Sequence, residues 1–231
     1  QQACGTGLEA AILVANKIAL GQIDVGIAGG TDTTSDAPIG LSEGLRELLL
    51  DLNRAKTAAE RLKIAARFRP KHLVPQVPEN SEPRTGMSMG AHQQVTAREW
   101  NIPREDQDQL ALESHKKLAA AYEEGFFSDL ITPLAGLDRD NILRPDSSLE
   151  KLSQLKPVFD TEKGTMTAAN STALTDGASS VLLGSEEWAR EHGLNVRAYM
   201  THVETGAVDF VGKKEGLLMA PAYAVPRLLD K

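Results

Sequence analysis

Residues 3–30 read ACGTGLEAAILVANKIALGQIDVGIAGG. Within them Leu8, Ala11, Ile12, Ala15, Ile18 and Ala19 recur at steps of three and four, the period of a helix that buries one face, and Gly21 follows as a stop signal. The next run, Val25 to Ala28, is short and apolar and ends in Gly29 and Gly30. It reads as a buried strand whose small terminal residues let another backbone approach. Helix then strand in so short a compass predicts an α/β layer. The single cysteine of the chain, Cys4, stands at the amino end of this helix, just before Gly5, Thr6 and Gly7.

That position gives Cys4 two readings. Unpaired backbone N–H groups and the positive end of a helix dipole favour a thiolate over a thiol, and Gly5 and Gly7 leave room for a substrate carbonyl close to the main chain. The N–H of Cys4 itself could then help hold an oxyanion. Spacing alone equally allows a small core residue at a helix start. A rival pattern overlaps it: Gly5, Gly7 and Ala10 satisfy G-x-G-x-x-A, with Asp24 at the distance expected of a dinucleotide-binding unit. In such a unit the acid closes the second strand, whereas Asp24 opens the one predicted here, and Asp32 follows two glycines and a threonine.

Outward from this segment the texture changes. Residues 42–68 are rich in Leu, Ala, Arg, Lys and Glu, with Leu45, Leu48, Leu49 and Leu52 on one stripe, which predicts an amphipathic helix. Pro70, Pro75, Pro78 and Pro83 predict an extended connection. A second helix is expected from Pro103 to Glu124, with Glu105 and Asp106 at its positive end and Gly125 closing it. Small residues return in GTMTAANSTALTDGASSVLLGS, residues 164–185, whose Ser180 to Leu183 read as a buried strand. A short helix between Ser185 and Gly193 follows, and the alternation of RAYMTHVET, residues 197–205, predicts a further strand.

Composition narrows the function classes. With 231 residues, 41% of them hydrophobic, the chain can bury a sizeable core. No apolar run approaches a membrane span, and Gln1 and Gln2 do not begin a signal peptide. One cysteine makes no intrachain disulfide, which fits a reducing compartment. A net charge of -7 argues against broad nucleic-acid binding. His72, His92, His115, His192 and His202 are too widely spaced for a metal signature and read as surface or structural residues. The basic stretch Arg67, Phe68, Arg69, Pro70 and Lys71 reads either as a contact for a partner subunit, a membrane surface or phosphates, or as cations at the negative end of a helix.

Two separated, ordered blocks carry a family resemblance. QQACGTGLEAA with DVGIAGGTDTTSDAPI resembles the nucleophile segment of thiolases, and GTMTAANSTALTDGASSVLL is similar to their substrate-covering loop and following strand. LRELLLDLNRAKTAAERLKIAARFR and LRPDSSLEKLSQLKPVF are most similar to the β-subunit of the fatty-acid oxidation trifunctional complex. The resemblance implies an α/β, thiolase-like layered αβαβα fold, present in part, with a helical and loop-rich insertion. It implies part of the amino-terminal core domain at 1–40, the insertion at 41–160, the CoA-covering loop with return strand and helix at 161–196, and the start of the carboxy-terminal domain at 197–231.

The same resemblance implies an acyltransferase of fatty-acid β-oxidation. Cys4 would attack the 3-keto carbon of a 3-ketoacyl-CoA and carry the acyl group as a thioester, a good intermediate for passing it to another thiol. Met89 would lie beside the acyl pocket. Arg144 would lie against the adenine of CoA, a role suited to a flat cation. Ala168, Ser171 and Thr172 would line the pantetheine arm, while Asn170 and Asp176 hold loop and turn geometry. No cofactor is implied, CoA being a substrate, and no metal.

The partners implied are CoA, acyl-CoA, a second copy of the chain and the hydratase/dehydrogenase α-subunit of a β-oxidation complex. The location implied is cytoplasmic, or mitochondrial in a eukaryote. Departures from the family pattern are also present. Ser88 stands where some relatives have histidine, and Ala91, His92 and Gln93 stand where an acid and an amide are common. The family's second cysteine and later histidines match nothing in these residues, so a fragment unable to turn over alone is expected, and a CoA-binding or structural piece is the alternative.

Overall fold

The computed structural model describes residues 2–212 and 215–231, so Gln1, which opens the quoted nucleophile segment, lies outside them. In chain order the elements are α1 (Thr6–Ala19), β1 (Val25–Asp32), α2 (Glu43–Arg54), α3 (Ala58–Ala65), α4 (Met89–Glu99), α5 (Arg104–Glu123), α6 (Leu149–Ser153), β2 (Gly177–Gly184), α7 (Glu186–Glu191) and α8 (Ala220–Leu229). They divide between two compact units, Gln1–Asn80 with Thr175–Gly193, and Ser81–Leu174 with Leu194–Lys231. The segment expected as one insertion, 41–160, is shared between these units.

In the first unit β1 and β2 form an antiparallel pair in which Val25 faces Gly184 and Asp32 faces Gly177. Gly29 serves the close approach expected of it, since a side chain there would run into the main chain of Ser179 and Ser180. α1 packs on this sheet: a Cβ on Gly26 would meet Val14 of the helix, and Ala28, on the same face as Gly26, is 3% exposed. The strands are nonetheless not the buried strands expected. Ile27 and its cross-strand neighbour Leu182 are 72% and 53% exposed, because among the described residues only the Gly26 and Ala28 face is covered by a helix.

The amphipathic stretch 42–68 is two helices rather than one. Ser42 caps α2 by accepting from the N–H of Leu45, and Leu48 is its buried residue. The chain then turns extended at Ala55 and restarts at Thr57, whose side chain accepts from the N–H of Glu60 while Glu60 accepts from the N–H of Thr57, a reciprocal cap. The proline-rich connection is also less extended than expected, since Pro70–Leu73 forms a 3-10 turn. Arg67 pairs with Asp51 of α2 at 2.7 Å, while Arg69 donates to the carbonyls of Ala66 and Phe68 at the end of α3, so the two basic side chains are engaged within their own unit.

The second unit is built on α4 and α5. Ser88 caps α4, a helix the sequence reading did not anticipate, and Gly90 leaves space that the Phe159 ring fills. α5 matches expectation, with Pro103 at its cap and Gly125 at φ +72° ending it. The expected strand at 197–205 does not form, there being no partner ladder for it among the described residues. By contrast the short helix α7 is capped by Ser185 as predicted, and Gly193 at φ +64° closes it.

Candidate active site

Cys4 lies in a 3-10 turn, Ala3–Gly5, that feeds directly into α1, and it is exposed. The core-residue reading of its position is therefore not the one the structure adopts. The turn is pinned on both sides of the thiol. Gln2 donates its main-chain N–H to Thr6 Oγ1 at 3.0 Å, and that hydroxyl donates to the Ala3 carbonyl at 2.7 Å. Gln2 Nε2 reaches Glu9 in the first turn of α1 at 3.0 Å. Ala3 is held at φ +47°, a left-handed conformation that an alanine adopts only when its surroundings impose it. Beyond the thiol, apart from the backbone of α1 and the chain neighbours of Gly7, nothing among the described residues lies within 4 Å of the position a Cβ would take on Gly7, so the approach there is open.

In the same unit Asp176 organises the loop after β1. One of its carboxylate oxygens accepts from the N–H groups of Thr34 at 2.7 Å and Ser35 at 3.0 Å and from the Thr33 hydroxyl at 3.1 Å. These bonds, those from Ser35 foremost, hold the Asp176 carboxyl well below the usual carboxylate range. Asp176 thus has the turn-holding role expected of it.

In the second unit a cleft of about 510 Å³ opens between α5, the residues around Arg144 and the loop Ala168–Ala173. It brings together four of the residues singled out from sequence: Arg144, Ala168, Ser171 and Thr172. No carboxylate stands among the described residues that line it, although the chain carries a net charge of -7. Arg144 is exposed, and its Nη1 donates to the carbonyls of Asn141 and Leu143 at 2.9 Å each. Its main-chain N–H donates to Nδ1 of His115 at 3.3 Å. His115, expected only as a surface or structural residue, therefore lines the cleft and supports the Arg144 segment.

Met89 is not among the residues of this cleft: it is the first residue of α4, and 39% exposed.

The loop is held from below by polar groups that the sequence reading missed. Gln94 of α4, 5% exposed, accepts from the N–H groups of Thr165 at 2.9 Å and Met166 at 3.0 Å. Gln107 of α5 donates to Thr165 Oγ1 at 2.9 Å. Asn170 accepts from the Thr167 N–H at 2.7 Å and donates to Asp108 at 2.9 Å, consistent with its expected role in loop geometry. One signal in the sequence points to these residues: Asp108 stands four residues before Leu112, which puts a carboxylate on the apolar stripe of a helix.

The family model for the thiolase N-terminal domain matches residues 1–187. The chain is 42% identical over 236 residues to the 3-ketoacyl-CoA thiolase of Pectobacterium carotovorum subsp. carotovorum (strain PC1), across 100% of this chain and 53% of that relative. It is 41% identical over 236 residues to the 3-ketoacyl-CoA thiolase of Vibrio cholerae serotype O1 (strain ATCC 39315 / El Tor Inaba N16961), across 100% of this chain and 54% of that relative. The chain thus spans about half the length of the curated relatives it matches. Among solved structures, human mitochondrial 3-ketoacyl-CoA thiolase in complex with CoA is similar in fold, with a TM-score of 0.73 at 24% identity over 99% of this chain and 53% of that one.

Proposed function

The chain belongs to the thiolase family and has its α/β fold, and on that premise we propose that the protein is an acyltransferase that cleaves 3-ketoacyl-CoA with CoA. The thiolate of Cys4 attacks the 3-keto carbon, and the bond between C2 and C3 of the substrate then breaks. The acyl group stays on Cys4 as a thioester, and the departing acetyl-CoA carbanion takes up a proton. The thiol of a second CoA, losing its proton, attacks the thioester, so that a shortened acyl-CoA leaves and the Cys4 thiolate is restored.

The observation that carries this reading is the convergence of Arg144, Ala168, Ser171 and Thr172 on one carboxylate-free cleft. A phosphate-bearing nucleotide on a long thin arm fits such a surface: a cation stands at one place and small side chains leave main-chain groups within reach at another. Met89 is proposed to border the acyl chain, and Cys4 to be the acyl carrier. CoA enters as a substrate in this scheme. The partners proposed are a second copy of the chain and the α-subunit of a β-oxidation complex, in the cytoplasm or, in a eukaryote, the mitochondrion.

The test is acyl trapping. Full-length protein incubated with a 3-ketoacyl-CoA and quenched is expected to carry the acyl group on the peptide containing Cys4 by mass spectrometry. Cys4→Ser is expected to lower turnover by about 1,000-fold or more, because a hydroxyl is far less ionised than a thiol near neutral pH. Acylation at another residue, or full activity in Cys4→Ser, would overturn the proposal.

A further inference from the structure

A single buried carboxylate stands behind the cleft. Asp108, on the inner face of α5, is 3% exposed. Its Oδ2 accepts from Arg104 Nε at 2.7 Å, and its Oδ1 accepts from Asn170 Nδ2 at 2.9 Å. Arg104 continues the chain of bonds through Nη2, which donates to the carbonyls of Leu152 at 2.6 Å and Leu155 at 3.2 Å. On the other side Asn170 Nδ2 also donates to the Thr165 carbonyl at 3.0 Å, and Asn170 Oδ1 accepts from the Thr167 N–H at 2.7 Å. The relay therefore ties α5, the segment carrying Leu155 and the loop Ala168–Ala173, and each of these contributes a wall of the cleft.

Neighbouring bonds show how much depends on it. Upstream, Thr165 and Met166 are held independently by Gln94. Downstream, among the described residues, Thr172 Oγ1 reaches only the carbonyl of Ala173, at 3.4 Å, and Ser171 Oγ is buried with no hydrogen-bond partner. The conformation of Ser171 and Thr172 is thus imposed through Asn170 rather than by their own side chains. A buried carboxylate with two charge-assisted partners resists displacement, because freeing it strands both the charge and its donors. We propose that Asp108, acting through Asn170, is a positioning residue for the CoA site: it sets the distance between the loop and α5 and holds the loop's main chain in the form that accepts CoA. The proposal rests on the CoA reading above. Asp108 itself does not line the cleft.

The test uses Asp108→Asn in the full-length protein. The substitution keeps size and shape, but its amide NH2 must confront a donor, either Arg104 Nε–H or Asn170 NH2. The dissociation constant for CoA is expected to rise about tenfold, with KM for CoA rising in step and kcat within about twofold of wild type. Hydrogen exchange of the peptide spanning 165–173 is expected to accelerate. Asn170→Ala is expected to do the same, and the double variant to be no worse than either alone, since both cut one relay. Leu112→Ala, a core truncation on the same helix, serves as the control: it lowers Tm and leaves KM for CoA unchanged.

Wild-type KM in Asp108→Asn, additive effects in the double variant, or a KM in Leu112→Ala that rises as much as in Asp108→Asn would each overturn the proposal. Failure of the wild-type protein to bind CoA is a separate result that overturns the functional reading, and this one with it.

Discussion

At the scale of single residues, the loop after β1 shows how a short-range cue becomes a long-range tie. Asp176 precedes β2 by one position, yet its carboxylate gathers the main chain of Thr34 and Ser35, more than a hundred residues earlier. The family resemblance implies a turn-holding role for Asp176, and that much is legible in the sequence. Its pH behaviour follows from the direction of its shift. A carboxylate held below its unfolded value contributes stability that is fully present above the ordinary carboxylate pKa, about 3.9, and is lost as pH falls through the lowered folded value. Asp176→Asn is therefore expected to lower Tm at pH 7, and the gap from wild type is expected to narrow as the pH is taken below about 4. Thermal unfolding from pH 7 to pH 3 checks this; a gap that stays constant or widens toward acid would show that the carboxylate charge is not what holds the loop. Asp108 shows the opposite case of legibility. Its placement on an apolar stripe was visible, but its partner Asn170 lies 62 positions away, and nothing local to either residue announces the pairing.

At the scale of elements, the sequence was read well wherever the signal was local and poorly wherever neighbours decide. α1, α5 and α7 came with their own periodicity, caps and stops, and they form where those signals put them. The break between α2 and α3 was missed because leucine, alanine, lysine and arginine run straight through it. What divides the stretch is Thr57 with Glu60, a capping box sitting inside an otherwise unbroken helical composition. Thr57→Ala removes the hydroxyl acceptor and strands the N–H of Glu60, so a loss of about 1 kcal/mol in urea unfolding is expected. No change would mean that the α2–α3 break is set by packing rather than by the cap. Strands are the harder case. β1 and β2 were recognised because each is a short apolar run, but their burial was overestimated, since burial depends on which layers cover a sheet and not on the strand itself. Alternation at 197–205 was likewise insufficient without a partner strand to pair with.

At the scale of the whole molecule, the candidate site was legible in the sequence mainly through resemblance. Motif blocks singled out Arg144, Ala168, Ser171 and Thr172, and the structure gathers them at one cleft. Of the polar scaffold behind that cleft only the place of Asp108 on an apolar stripe is legible, because Gln94 and Gln107 are ordinary helix residues until folding brings Thr165 against them, and Asn170, the partner of Asp108, is distant in sequence. Chemistry sets a further limit on what these 231 residues can do by themselves. Breaking the substrate's carbon–carbon bond requires a nucleophile and, in addition, a group that protonates the departing carbanion. The chain has one cysteine, Cys4, which the proposed reaction commits to carrying the acyl group. In its unit His72 Nδ1 accepts the main-chain N–H of Arg69, and His192 Nδ1 lies 2.9 Å from the Trp188 carbonyl, so one nitrogen of each imidazole is engaged within its own local turn. General acid–base help is worth roughly 100- to 10,000-fold and an oxyanion donor about 100-fold or more. The 231-residue piece, assayed with acetoacetyl-CoA and a longer 3-ketoacyl-CoA, is therefore expected to turn over at least about 10,000-fold more slowly than a full-length relative such as the Pectobacterium enzyme. Loss of the ketoacyl substrate gives the rate, and CoA binding by the same piece separates a CoA-holding fragment from an unfolded one. Turnover comparable to the full-length relative would show that a proton donor already stands within these residues, and the search for it would begin at His72 and His192.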